Sequence, residues 1–259
     1  MESELACIDG RLVAASAATI PVTDEGLIRG DGAFEVIRLY GGRPYALDAH
    51  LARLARSAEG LRLEVDLDAI RADVAALLAT RHGEDELLRI MCTRGGRRIL
   101  LIEPMPELPE TLALEPVTYA PTRVLDGIKS LSYAANMLAT RLACERGADE
   151  ALLVSPHGRV LECPTASFFL VVAGAIRTPP LSDHILDSIT RRAVLALVEV
   201  REEPIELAAL ADAEEAFVVS SGHELTAVHR VGEHSYPAPG RRTRELAVLV
   251  HERILAELP

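Results

Sequence analysis

Short alternating runs folded back by tight turns are interleaved with amphipathic helical stretches, but never in a strict strand–helix–strand rhythm. That pattern points to an α+β fold of two lobes rather than a doubly wound sheet. Asp9-Gly10 joins residues 6–8 to 11–14, and Gly41-Gly42 joins 34–40 to a return strand through Tyr45. Asp48 stands where it could cap a helix with Leu51, Leu54, Ala58 and Leu61 on one face, and a second helix is expected over 67–80. Strands resume at 87–93 and 98–102, Pro104, Pro106 and Pro109 interrupt, and a strand-like run covers 111–119. Residues 120–124 read as a connection, dividing an amino-terminal α/β domain (1–119) from a carboxy-terminal domain (125–259). In the second domain, helices are expected over 133–146, 187–198 and 243–258, with Gly147 closing the first of them. Three short strands flank the turn Pro156-His-Gly158, and another covers 216–220.

The chain has 259 residues and a formal charge of −12, which disfavours general affinity for nucleic acid or an anionic membrane surface. Its four cysteines show no CxxC spacing, and its histidines lack zinc-site spacing, so no metal is expected. The longest apolar run, 166–176, reads as a buried strand pair and is too short to span a membrane. The acidic amino terminus lacks the zones of a signal peptide, and a cytoplasmic protein is expected. No GxGxxG, GxxxxGK[ST] or GxSxG motif occurs.

Among 27 lysines and arginines there is a single lysine, Lys129. Arginine can replace lysine as a solvated charge, but it cannot form an imine. A lone retained lysine therefore suggests a primary amine used covalently, against the plainer reading of one surviving surface residue. Glu162 follows a short strand among apolar neighbours and needs a cationic or hydrogen-bonding partner: an arginine, or a protonated ring nitrogen of a ligand. The run from Asp187 through Ile189 and Thr190 opens a helix whose free amides suit a phosphate, although taken alone ordinary capping by Asp187 or Ser188 is the favoured reading. Ser221 and Gly222 lie in a turn after a strand, a second place for an anion. Arg53 lies on the inner side of the helix after His50, to bind phosphate or to snorkel. Arg97 and Arg98 end a basic hairpin turn suited to a carboxylate, or simply solvated.

The segments GDGAFEVIRLYGG, AHLARL, IKSLSYAANMLATRLACERGADEALLVSPHGRVLEC, ILDSITR and FVVSSGHELTAV, in that order over nearly the whole chain, resemble the class IV (fold type IV) pyridoxal-phosphate enzymes. That family includes D-amino acid and branched-chain aminotransferases and aminodeoxychorismate lyases. The resemblance implies two α/β lobes with pyridoxal 5′-phosphate (PLP) between them, the second lobe PLP-binding, and a homodimer. It makes Lys129 the lysine that carries the cofactor and Glu162 the partner of the pyridine nitrogen. Arg53, Ile189, Thr190 and Ser221 become phosphate ligands. Phe34, Arg38, Arg97, Arg98 and the Gly222 amide become substrate contacts.

Two departures stand out. Family members usually carry Glu-Gly and then Ser-Asn where this chain has Glu162-Cys163 and Ala166-Ser167. Its lyases tend to carry a catalytic threonine on the first cleft strand, where this chain has Glu35-Val36. The implied activity is amino transfer between an amino acid and a 2-oxo acid, with D-amino acids as the leading donors. Branched-chain L-amino acids or (R)-amines, the lyase reaction, and a non-catalytic member of the fold are the alternatives.

Overall fold

The computed structural model describes residues 5–81 and 83–259, so the amino-terminal stretch read above begins outside the described residues. The chain divides into two compact units, and the division differs from the expected one. The first unit runs to Pro106 and also takes in residues 128–133 and 257–259; the second comprises 107–127 and 134–256.

In the first unit, six antiparallel strands form one sheet: β1 (Leu5–Ile8), β2 (Arg11–Ala14), β3 (Gly32–Tyr40), β4 (Arg43–Pro44), β5 (Glu86–Thr93) and β6 (Arg98–Pro104), in the order β2-β1-β6-β5-β3-β4. Three helices accompany it: α1 (Glu25–Arg29), α2 (Leu47–Gly60) and α3 (Leu67–Leu78). Both expected turns, Asp9-Gly10 and Gly41-Gly42, have positive φ at their two central residues. Alternation along β3 sends Ala33, Ile37 and Leu39 into a core with Leu51, Leu54 and Ala58 of α2, and Ile70, Val74 and Leu77 of α3. Phe34, Val36, Arg38 and Tyr40 alternate with these and take the opposite face of the sheet. Asp48 does not cap α2. Ala46, in the left-handed region, holds the N-cap position without a side-chain bond, while Asp48 sits in the first turn and pairs with Arg71.

Gly32 opens β3 where the segment 128–133 crosses it. The Leu131 amide donates to the Gly32 carbonyl at 2.8 Å, and Ala33 bridges Ser130. A Cβ at Gly32 would fall on the Cys92 carbonyl oxygen and within 2.6 Å of Leu131 Cδ1. Gly32→Ala is therefore expected to destabilise the first unit by about 1–3 kcal/mol, because a backbone atom would have to move. Urea unfolding at neutral pH would check this, an unchanged midpoint counting against the close approach.

The second unit is built on a mixed ten-stranded sheet. Its strands are β7 (Thr111–Thr118), β8 (Glu150–Val154), β9 (Arg159–Val160), β10 (Ser167–Val172), β11 (Ala175–Thr178), β12 (Val200–Glu202), β13 (Ile205–Glu206), β14 (Glu215–Ser220), β15 (Glu224–Val231) and β16 (His234–Ser235). Nine follow the order β12-β11-β10-β14-β15-β7-β8-β9-β13, and β16 pairs with β15. The helices are α4 (Ala134–Glu145), α5 (Ile189–Leu197) and α6 (Arg241–Ala256). β7, expected to close the first domain, instead pairs in parallel with β8 and β15 and buries Leu112 and Leu114 in the second unit's core. Gly147 follows α4 at positive φ, as its position implied. The long apolar run is the hairpin β10–β11. Glu215 caps α6 from a distance, accepting the amides of Arg242 and Thr243 and the Thr243 hydroxyl. Among the described residues, no helix is long and apolar enough to cross a membrane, and no group of three or more His, Cys, Asp or Glu could hold a metal ion.

Candidate active site

In the first unit, Lys129 is fixed by its backbone. Its amide donates to the buried Ser57 Oγ of α2 at 3.1 Å, and its carbonyl accepts the Phe34 amide at 3.1 Å. The half-buried side chain brings Nζ to 4.4 Å from the Phe34 ring centroid and 5.8 Å from that of Tyr133. Lys129 and Phe34, two of the expected site residues, are thus in contact on the face of the sheet opposite the helices.

Behind them lies a buried polar cluster. Arg53 does not snorkel: Nε donates to Glu35 Oε1 at 2.7 Å, and Nη2 donates to Glu35 Oε2 at 2.6 Å. The His50 ring approaches the same carboxylate, Nδ1 lying 2.8 Å from Oε2. A carboxylate only accepts, so His50 carries its proton on Nδ1. Burial alone would push the Glu35 carboxyl up, but the hydrogen bonds from Arg53 and His50 outweigh it and hold the pKa at about 2. Burial pushes His50 down against the pull of Glu35, which keeps the ring neutral at pH 7. Two nitrogens of Arg53 are thereby oriented by a carboxylate that the sequence reading did not connect to it. The signal was present: Glu35 shares the parity of Ala33 and Ile37 on an apolar stripe, and a charge there needs a cation.

The expected substrate arginines are differently placed. Arg38 lies on the Phe34 face, with its guanidinium carbon 4.5 Å from the Tyr40 ring centroid and a nitrogen 3.6 Å from an Asp85 oxygen. Arg97 pairs with Asp9 at 2.6 Å, and Arg98 Nε donates to Asp73 at 2.9 Å. The structure thus gives Arg97 and Arg98 carboxylate partners within the unit and does not bring them to Lys129.

In the second unit, residues 161–162 continue the pairing with β8, the Glu162 carbonyl accepting the Leu153 amide at 2.9 Å. The half-buried Glu162 carboxylate accepts the Leu186 amide at 3.1 Å. That bond ties Glu162 to the loop leading into α5. Burial, and then the Glu162 charge, raise the pKa of the Tyr119 phenol, so this carboxylate's field reaches a neighbouring ring. Ser188, rather than Asp187, caps α5 by accepting the Arg191 amide at 3.3 Å. Asp187 is engaged by Arg192. The first helical bond is the Arg192 amide to the Ser188 carbonyl, so the amides of Ile189 and Thr190 have no acceptor among the described residues. The Thr190 side chain is buried beside them. α5 packs on β14, at whose end Ser221 and Gly222 form the turn into β15, braced by the His223 amide donating to Ser220 Oγ at 3.1 Å. At the departures from the family pattern, the Cys163 amide closes a turn onto the Ala166 carbonyl at 2.8 Å, and the buried Ser167 Oγ has no hydrogen-bond partner among the described residues.

These donor sets fit PLP. Two uncommitted amides at a helix start suit a phosphate dianion. A half-buried carboxylate suits a protonated ring nitrogen, and a lone, half-buried lysine offers the amine. Fold and donors together define a chain with anion-suited amides and a carboxylate in its second unit and a reactive amine in its first.

The chain belongs to the class IV aminotransferase family, whose pattern it matches over residues 32–231. It is 32% identical to a putative branched-chain-amino-acid aminotransferase of Methanocaldococcus jannaschii, over 86% of each chain. It is 28% identical to a D-alanine aminotransferase of Bacillus licheniformis, over 96% of each. Among solved structures, the branched-chain aminotransferase of Thermobaculum terrenum in its PLP form superposes with a TM-score of 0.87 at 26% identity, covering 98% of this chain and 95% of that one.

Proposed function

We propose that this aminotransferase moves an amino group between an amino acid and a 2-oxo acid, with D-amino acids as preferred donors. The cofactor is PLP, as in the family. The observation that carries the reading is the sole lysine, its backbone fastened at both amide and carbonyl beside the ring of Phe34. Bound PLP supplies an electron sink that weakens the Cα–H bond of the donor. Lys129 Nζ takes that proton as general base and returns it as general acid. Glu162 holds a proton at the ring nitrogen. The amides of Ile189 and Thr190, the hydroxyls of Thr190 and Ser221, and Arg53 hold the phosphate, and the Gly222 amide faces the substrate carboxylate. Two oxo acids handled in turn on one enzyme give ping-pong kinetics, and a homodimer is the expected assembly.

The run Glu35–Tyr40 in β3 supports the D-amino acid reading through its likeness to that group. Branched-chain L-amino acids are the second reading. Arg38 on the Phe34 face suits it, and so does the name of the Methanocaldococcus relative. The lyase reading is weakened because Glu35 is committed to Arg53 and His50, leaving Val36, which has no hydroxyl, on the Phe34 face. Absorption spectra of the PLP-loaded protein with D-alanine, L-leucine and (R)-1-phenylethylamine in separate cuvettes discriminate these readings. The cofactor band is expected to collapse with D-alanine. Collapse with L-leucine alone would transfer the assignment to the branched-chain reading. Pyruvate release from aminodeoxychorismate with no oxo acid present would make the chain a lyase.

A further inference from the structure

We propose that Tyr133 is a positioning residue for Lys129, forming with Phe34 an aromatic seat that receives the lysine amine when it is released and charged. The proposal rests on the reading of Lys129 as the cofactor-bearing amine. The rings of Phe34 and Tyr133 meet edge to face, 5.3 Å apart at 81°. Nζ lies within cation–π range of both, at 4.4 and 5.8 Å.

The backbone builds this arrangement. The segment 128–133 is fastened to the start of β3 by the Leu131 and Phe34 amides, and it turns back where the Tyr133 amide donates to the Leu131 carbonyl at 2.7 Å. That turn returns the fourth residue after the lysine to the ring over which the amine lies. The one other cation near Phe34 among the described contacts is Arg89, 5.8 Å from the ring centroid. Its charge is answered by Glu103 in a fork of bonds at 2.8–3.0 Å, which leaves the lysine as the cation the ring can serve.

A four-carbon stem gives a released amine many rotamers, and only those facing the donor's Cα are useful. Aromatic faces favour the charged amine over the neutral one. The seat therefore narrows the rotamers and stabilises the charge that Lys129 gains as it takes the proton. The seat is made by the ring, so phenylalanine should preserve it and leucine should not.

The single lysine makes the test direct, since protein carrying 13C-lysine shows one lysine Hε/Cε signal. In the full chain loaded with pyridoxamine phosphate, where the amine is free, Hε should be displaced upfield by ring current. Tyr133→Leu should move the signal back and lower kcat for the donor half-reaction roughly tenfold with KM unchanged. Tyr133→Phe should keep the displaced signal near the wild-type position, and its folding guards against reading a misfolded leucine variant as support. An Hε at the position of a solvated lysine in the wild type overturns the seat, as does a Tyr133→Leu variant with wild-type shift and kcat. The cofactor's visible band separates the two failures. A band without ring-current displacement sinks the seat alone, whereas no band in the wild type sinks the assignment of Lys129 and the seat with it.

Discussion

Lys129→Arg is expected to abolish transamination by ~10³-fold or more while leaving the chain folded. The substitution keeps the charge and much of the length, and the backbone bonds to Ser57 Oγ and to the Phe34 amide do not depend on the side chain. What it removes is a primary amine able to bond covalently and to exist unprotonated. A guanidinium does neither. If the lysine were a surface survivor or an electrostatic anchor, arginine, the residue at the 26 other basic positions of this chain, would serve as well. Single-turnover kinetics with the preferred donor, together with the visible spectrum, provide the check. Near-normal turnover in Lys129→Arg would end the account.

The second large effect concerns stability. Glu35→Gln would leave the buried Arg53 guanidinium without its carboxylate, and a loss of about 3–5 kcal/mol is expected. The pH dependence of the wild type has a definite sign. The folded pKa of Glu35, about 2, lies below the ordinary 4.5, so its contribution is complete above pH 4.5 and is lost as pH falls through about 2. The shift corresponds to roughly 3 kcal/mol. His50, held below its ordinary 6.5 by burial, acts in the same direction, because the unfolded chain binds its proton first as the solution is acidified. Denaturant unfolding from pH 7 to pH 3 should show a wild-type stability that declines more steeply than that of Glu35→Gln. Parallel curves would mean that the carboxylate is not the charged centre of this cluster. Loss of cofactor affinity in the variant beyond its loss of stability would tie Arg53 to the phosphate.

Much of this arrangement is legible in the residues, and the illegible parts have a common physical cause. Turns that demand positive φ, such as Asp9-Gly10 and Gly41-Gly42, declare themselves through the residues that tolerate it. Lys129 stands out through composition, and the start of α5 through its polar residues. Pairing across long sequence separation does not show in this way. β7 reads as a strand, but nothing local says that it lies between β8 and β15 and therefore belongs to the second unit. Nor does local pattern place residues 128–133 with the first unit, which takes the contact of Leu131 with Gly32 to establish. The same limit explains Arg97 and Arg98. A basic turn suggests a carboxylate ligand, and nothing local shows that Asp9 and Asp73, remote in sequence, pair with its arginines. Asp48 looked like a cap because its type suits one. The chain enters α2 through a left-handed Ala46, and the capping role goes unfilled. Arg53 is conspicuous alone as a charge on the inner side of a helix, and Glu35 shares the parity of the apolar residues of β3. Only strand parity on one side and helix periodicity on the other join them.

The central claim is that the sole lysine bears the cofactor. The most direct measurement is to load the chain with PLP, fix the linkage with borohydride, and map the modified peptide by mass spectrometry. The expected result is a phosphopyridoxyl group on Lys129, the one side-chain amine in the sequence. An unmodified Lys129 in protein that has demonstrably taken up PLP would contradict the account.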